Sequence, residues 1–251
     1  MKNCFIYFLF IIFISENLKS QNLVPNPSFE IYISCPTDMT IFSARKLIPD
    51  WNLPTRGTSD YFNACSKLQV GIPQNFIGNL YAFDGNAYAG IVLIEKPPIN
   101  DSIESKVINY REYLQTEIVE TLQKGKAYCI SVHYAIANYS TYSTNSLGVC
   151  LTSKKNRNRL SSKVLKCKPV LTVPYDTIYA ERNYWYTLTD TIIANGNEKY
   201  LTIGNFYDDH KTLYKTLDIS NLNSALRTRI QQNKIAYYYI DMVLVELINY
   251  K

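Results

Sequence analysis

The sequence predicts an all-β protein built as a β-sandwich, and three observations carry that expectation. Tyrosine stands out at 22 of 251 residues, and 14% of the chain is aromatic. Such a composition suits pleated, half-buried surfaces better than helices. Short apolar runs, several of them alternating with period two, recur between clusters of Gly, Asn, Asp and Pro. The 47% hydrophobic share is enough for a packed core and excludes a wholly disordered chain, while 9 Gly and 10 Pro exclude a collagen-like or linker-like one.

The elements follow in order. Lys2, the apolar run Cys4–Ile14 and the polar stretch SENLKS, with the small Ser20 before Gln21, read as a secretory signal peptide over 1–20. The run is too short for a spanning helix. No cysteine follows it closely enough for a lipoprotein signal, so the expected mature chain is a single exported domain, 21–251, without a transmembrane span. NLVPNPSFE suits an edge or irregular first strand because two prolines fall within three residues. Cys35–Gly85, with CPTD, LPTRGTSD, GIPQN and FDGN, reads as a long decorated connection. Asn86–Glu95 is a strand, and Arg111–Leu122 fits a short helix or a strand. The QKGK turn and AYCISVHYAIA read together as a hairpin, with Tyr128, Ile130, Val132 and Tyr134 on one face. SLGVCLTS gives another strand. YWYTLTDTIIA and KYLTIGNF give two more around the NGNE turn, with Trp185 expected in the core. LDISNLNSALRTRIQQN is the one stretch with room for a helical turn, and IAYYYIDMVLVEL closes the chain as a strong strand.

The formal charge is +5, or about +4 once Lys2, Glu16 and Lys19 are removed with the signal segment. Lys154, Lys155, Arg157, Arg159, Lys163, Lys166 and Lys168 concentrate it without an intervening acid. No aromatic interleaves there, and export argues against nucleic acid. A solvated basic loop is the expectation, with contact to an anionic glycan or lipid head group as the second reading. Export favours disulfides. Cys35 and Cys65 flank the loop-rich segment and form the expected pair. Cys150 and Cys167 could close the basic loop, Cys129 reads as a buried free thiol, and the pairing of these three stays open.

NLVPNPSFE and YYIDMVLVEL resemble the first and last strands of carbohydrate-binding-module jelly rolls, and TLQKGKAYCISVHYAIA looks like their central hairpin. The resemblance implies a jelly-roll β-sandwich of the galactose-binding-like type. DWNLPTRGTSDYFNAC, GNAYAGI, YREYLQTEI, ANGNEKYLTIGNF and YYYIDMVLVE together resemble a domain of exported Bacteroidota proteins. That domain often precedes an OmpA-like or a type IX sorting domain. Neither is expected here, so peptidoglycan binding is not implied. Asp101-Ser102-Ile103, Asp176-Thr177-Ile178 and Asp190-Thr191-Ile192 resemble the Bacteroidota O-glycosylation motif, which would mark Ser102, Thr177 and Thr191. Thr191 lies in a predicted strand, where burial would block modification.

The resemblance further implies a structural Ca²⁺ tying the first strand to the last, with Glu30 and Asp241 in the matching positions. Two readings stay open: these acids share a cation, which needs several oxygens, or they are solvated strand-end acids or partners of a Lys or Arg. Trp51, Asp60, Tyr61, Phe62 and Asn63 combine an aromatic platform with carboxylate and amide groups, the chemistry of sugar recognition. The alternative is a loop pinned over the core by Trp51 and Tyr61.

Catalytic patterns are absent: there is no nucleophile elbow, zinc-protease motif or phosphate loop. Of the two histidines, His133 falls on the strand face opposite Tyr128, and His210 follows Asp208 and Asp209 in a loop read as a solvated acidic turn rather than a metal site. The expected function is a non-catalytic exported binding or assembly module of the bacterial cell envelope. Its expected partner is a polysaccharide, or an outer-membrane or surface protein complex. A carbohydrate-active hydrolase using a carboxylate pair is the alternative, with Glu112, Glu117 and Glu198 as candidates.

Overall fold

The computed structural model describes residues 21–39, 47–67, 69–96, 109–158, 161–220 and 222–248; the expected signal segment and Ser102 lie outside them. In chain order the elements are β1 (Trp51–Asn52), β2 (Asp60–Asn63), β3 (Gln74–Asn75), β4 (Gly78–Asn79), β5 (Ala87–Glu95), β6 (Tyr113–Glu117), β7 (Ala127–Ile136), β8 (Tyr142–Thr144), β9 (Gly148–Thr152), β10 (Leu171–Thr172), β11 (Tyr186–Ile193), β12 (Tyr200–Gly204), β13 (Tyr214–Thr216), α1 (Ser224–Asn233) and β14 (Ile235–Leu247). Two five-stranded antiparallel sheets form the body, in the orders β1-β6-β12-β9-β10 and β11-β7-β14-β5-β2. Among the described residues no helix is long and apolar enough to cross a membrane.

From β5 onward the principal strands alternate between sheets. β5, β7, β11 and β14 belong to one, and β6, β9 and β12 to the other. This is the winding of a jelly roll, and it corrects the hairpin expectation. The turn before β7 does not fold it back on β6; it carries the chain across the sandwich. The NGNE turn does the same between β11 and β12. Period-two alternation tells which face of a strand is apolar and leaves its partner unspecified. Arg111–Leu122 resolves as strand β6. Cys35–Gly85 is more than a connection, because β1 and β2 inside it are edge strands of the two sheets.

The core lies between the sheets. Ile91 and Leu93 of β5, Ile130 and Val132 of β7 and Ile240 of β14 meet Leu114 of β6, Val149 of β9 and Leu201 and Ile203 of β12 in one buried cluster. Tyr128 and Tyr134 join the same face. The opposite face of the second sheet is also covered. Phe62, Tyr88, Tyr237 and Tyr239 pack under Val70, Phe76, Ile77 and Leu80 from the segment after β2. Each hydroxyl in this layer is satisfied. Tyr237 donates to Asp60 Oδ2 at 2.6 Å, Tyr239 to Asn75 Oδ1 at 2.9 Å and Tyr88 to Leu80 O at 3.1 Å. Gly90 is required beneath Tyr237, since a Cβ there would collide with the phenol and with Phe62.

The N-terminal segment forms no strand, in keeping with its prolines. It still joins the sheets, because Leu23 N donates to Val245 O at 2.8 Å and Val119 N donates to Leu23 O at 2.9 Å. The first and last segments therefore meet. Cys35 is bonded to Cys65 and Cys150 to Cys167, while Cys129 is a free, partly exposed thiol rather than a buried one. Trp185 corrects its expectation: it sits half-buried before β11 on the outer face, its Nε1 donating to Tyr81 O at 3.0 Å. The helix α1 is capped by Asn223, whose side chain accepts from Leu226 N.

Tyr237→Phe removes the donor to a buried carboxylate. Such a loss costs about 1.5–3 kcal/mol, so thermal unfolding is expected to shift down by roughly 3–12 °C. A melting temperature equal to wild type would show that the Asp60 bond contributes nothing.

Candidate functional site

The segment expected to form a recognition surface is buried. Trp51 is 5% exposed, its Nε1 donating to Asn26 O at 2.9 Å and its ring lying 4.8 Å from that of Phe29. Asp60, Tyr61, Phe62 and Asn63 form β2 and are buried throughout. Tyr61 donates to Phe29 O at 3.0 Å, and Asn63 Nδ2 donates to the Tyr61 hydroxyl at 2.7 Å. These side chains clamp the N-terminal segment onto the core, so they offer no exposed platform. Trp51 alone also reaches a cleft.

Glu30 and Asp241 are brought to the same turn, Phe83–Asn86, by hydrogen bonds. Asp241 is fully buried; its Oδ2 accepts from Phe83 N at 2.9 Å and Asp84 N at 3.0 Å, and its Oδ1 accepts from Met242 N at 2.7 Å. Glu30 Oε1 accepts from Asn86 N at 2.7 Å. Gly85 lies between with φ +67°, and a Cβ there would strike the Glu30 carboxylate. N–H donors stand where a hard cation would need oxygens. Among the described residues no group of three or more His, Cys, Asp or Glu side chains gathers. The set does not fit Ca²⁺, and Asp241 is not a solvated strand-end acid either. Burial pushes its carboxyl up to about 8, against the downward pull of the three N–H donors.

A sizeable cleft lies elsewhere among the described residues, beside the edge strand β1 and the end of β6. It encloses about 710 Å³ between the β1 segment, the end of β6 and the basic loop. Trp51, Leu53 and Ile48 line it on one side, and Lys155, Arg157 and Lys199 on another, with Glu117 and Asp50 as the acids. Lys199 pairs with Glu117 at 2.8 Å and holds that carboxyl below its usual range. The basic loop is pinned from beneath. Gln115 Nε2 donates to Asn52 Oδ1 at 2.9 Å, Asn156 N donates to Gln115 Oε1 at 2.8 Å, and Asn156 Nδ2 donates to Thr202 Oγ1 at 3.1 Å. Gln115 is fully buried on the outward face of β6. Its position opposite inward Leu114 was the available sequence signal, a lone amide where a solvated face would carry charge.

The remaining acids do not form a catalytic pair in the cleft. Glu112 is buried and accepts from Tyr110 Oη at 2.6 Å, Val92 N at 2.8 Å and Thr58 Oγ1 at 3.0 Å. Burial raises its pKa against those bonds. Glu198 is buried and accepts from Asn195 N at 2.8 Å. Neither lines the cleft. Asp209 pairs with Arg111 at 2.8 Å and Asp208 with Lys211 at 3.4 Å, so the acidic turn beside His210 is held by cationic side chains. His133 is half-buried, its ring stacked 3.7 Å from that of Phe83. Thr177 is half-exposed in a turn and Thr191 is exposed on edge strand β11, contrary to the burial expected of a strand residue.

No family model and no curated protein matches the chain. Solved structures similar to it include carbohydrate-binding modules. The enzymatically active domain of bacteriophage CBA120 tailspike protein 4 aligns at a TM-score of 0.40 and 9% identity, covering 90% of this chain and 21% of that one. The tandem CBM22 modules of Xyn10C from Paenibacillus barcinonensis align at 0.42 and 12%, covering 80% and 47%. The K1 cleaved adhesin domain of Lys-gingipain from Porphyromonas gingivalis aligns at 0.36 and 14%, covering 89% and 96%. The chain thus spans about a fifth of the first structure and about half of the second.

Asp241 makes stability depend on pH with a definite sign. Its folded pKa near 8 lies above the ordinary 3.8, so between these values the folded chain keeps a proton that the unfolded chain releases. The contribution of Asp241 to stability is then fully present below about pH 4 and lost as pH rises to about 8. The wild type is expected to melt progressively lower across that window, and Asp241→Asn to show a shallower fall. A chelator is expected to leave the wild-type melting curve in place. Identical pH slopes would reject the assignment.

Proposed function

We propose that the chain is a non-catalytic, exported binding module that holds an uncharged polysaccharide in the cleft beside Trp51. The observation that supports this reading most is the cleft itself: about 710 Å³, open to solvent, with apolar walls and mixed charges. Glu117 and Lys199 neutralise each other, and Asp50 partly offsets Lys155 and Arg157. Apolar walls suit the C–H faces of sugar rings, and a few fixed polar groups suit hydroxyls. The two disulfides agree with export into an oxidising compartment. Ile31, Tyr32, Ile33 and Val119 are exposed, and Ile33 and Val119 lie on the cleft rim. They favour a second reading, a surface-protein partner seated on that rim.

A glycan array with the purified chain separates the two readings. Binding to neutral polysaccharides is expected, and Lys155→Ala combined with Arg157→Ala is expected to weaken it about 3–10-fold by removing two exposed polar contacts. Silence on the array together with co-purification of a surface protein would overturn the polysaccharide reading. Thr177 and Thr191 are accessible enough to carry sugar; intact mass of the exported chain is expected to show glycan increments that Thr191→Ala reduces.

A further inference from the structure

We propose a second site at the opposite end of the sandwich, a basic groove that binds an anionic polysaccharide. Two clefts of about 360 and 370 Å³ meet there and share Tyr207 and Lys211. Tyr175 and His210 line the first, and Lys163 and Lys166 the second. The one carboxylate on the pair is Asp208, whose partner is Lys211 at 3.4 Å. Lys163 and Lys166 belong to none of the ion pairs among the described residues. Tyr175 is 73% exposed and Tyr207 36%, so two phenol rings stand at a groove whose charge is positive.

The groove is built rather than incidental. Arg111 is fully buried, yet its guanidinium serves the Tyr207 loop. Nη2 donates to Tyr207 O at 2.8 Å and Thr212 Oγ1 at 3.2 Å and pairs with Asp209 at 2.8 Å. Asn109 N donates to Asp209 Oδ2 at 3.0 Å, and Asp209 N donates to Asn109 Oδ1 at 2.8 Å. A buried charge pair is poor value as stabilisation and a good device for holding one conformation. The lysine segment is held as well. Arg111 N donates to Ser162 O at 2.8 Å, Leu165 N donates to the Tyr113 hydroxyl at 3.0 Å, and Cys167 is bonded to Cys150. The cations thus project from a fixed frame with little ordering left for a ligand to impose. Exposed rings take sugar faces and ammonium groups take sulfate or carboxylate, a combination that a polysaccharide bearing acidic groups matches.

The test is titration calorimetry of the purified chain with a sulfated hexasaccharide, its desulfated counterpart and vesicles of anionic phospholipid. The sulfated sugar is expected to bind more tightly than the desulfated one, and the excess to weaken as salt is raised. Lys163→Gln, Lys166→Gln and Lys211→Gln combined are expected to lower affinity roughly tenfold by removing three exposed ionic contacts. Tyr175→Ala is expected to lower it a further few-fold, with the melting temperature unchanged in both variants. Lys155→Ala with Arg157→Ala at the other cleft is expected to leave it intact, so this site and the neutral-polysaccharide cleft fail separately. Equal binding of the desulfated sugar, binding of vesicles alone, unchanged affinity in the lysine variant, or loss in the Lys155/Arg157 variant would each overturn the proposal.

Discussion

The second sheet is apolar on both faces over β2, β5 and the first half of β14, and much of the molecule is organised to meet that constraint. One face has the other sheet to bury it. The other has only a segment of irregular chain, and irregular chain brings backbone N–H and C=O groups that a purely hydrocarbon surface would leave unpaired. Tyrosine answers both needs at once. The rings of Tyr88 and Tyr239 pack against Phe62, while Tyr88 bonds the cover through Leu80 O and Asn75 and Tyr239 through Asn75. Tyr88, Tyr237 and Tyr239 thus serve the cover of this sheet.

The same logic accounts for the fully buried polar side chains. Gln115 lies in β6 and Arg111 two residues before that strand begins, and each ties a loop to it: Gln115 holds Asn156, and Arg111 holds the turn at Tyr207. Asp241 does this for the turn at Asp84. Three loops that would otherwise contribute entropy are fixed by groups rooted in strands, so their exposed cations and aromatic rings keep one arrangement.

Much of the architecture was legible in the chain. The alternation Tyr128, Ile130, Val132, Tyr134 identified a core face, the strands β5, β7 and β14 were visible as apolar runs, and Cys35 and Cys65 flanked the segment they close. Sheet membership was not legible, because an amphipathic strand packs equally well in either sheet of a sandwich. The segment from Trp51 to Asn63 left two readings open, a sugar platform and a pinned loop, for a chemical reason. Trp51, Asp60, Tyr61 and Asn63 have the composition of a sugar platform and equally that of a clamp, and only burial distinguishes them. Glu30 and Asp241 accept from N–H groups of the same turn; those N–H groups, which decide what the carboxylates hold, carry no side-chain signature. The cleft's basic wall was visible as a charge run, but the buried amides that aim it belong to strands far away in sequence.

The chain enters and leaves the sandwich on one side. Leu23 lies against Val245 there, beside the Trp51 cleft, whereas the Tyr207 loop crowns the far side, near the start of β14. The molecule therefore has a base and a tip. A tether fused at either end of the described chain would sit at the base, crowding the first cleft and leaving the tip to sweep the surroundings at the full height of the domain. For an immobilised or surface-displayed form, orientation alone would decide which of the two grooves meets its polymer first.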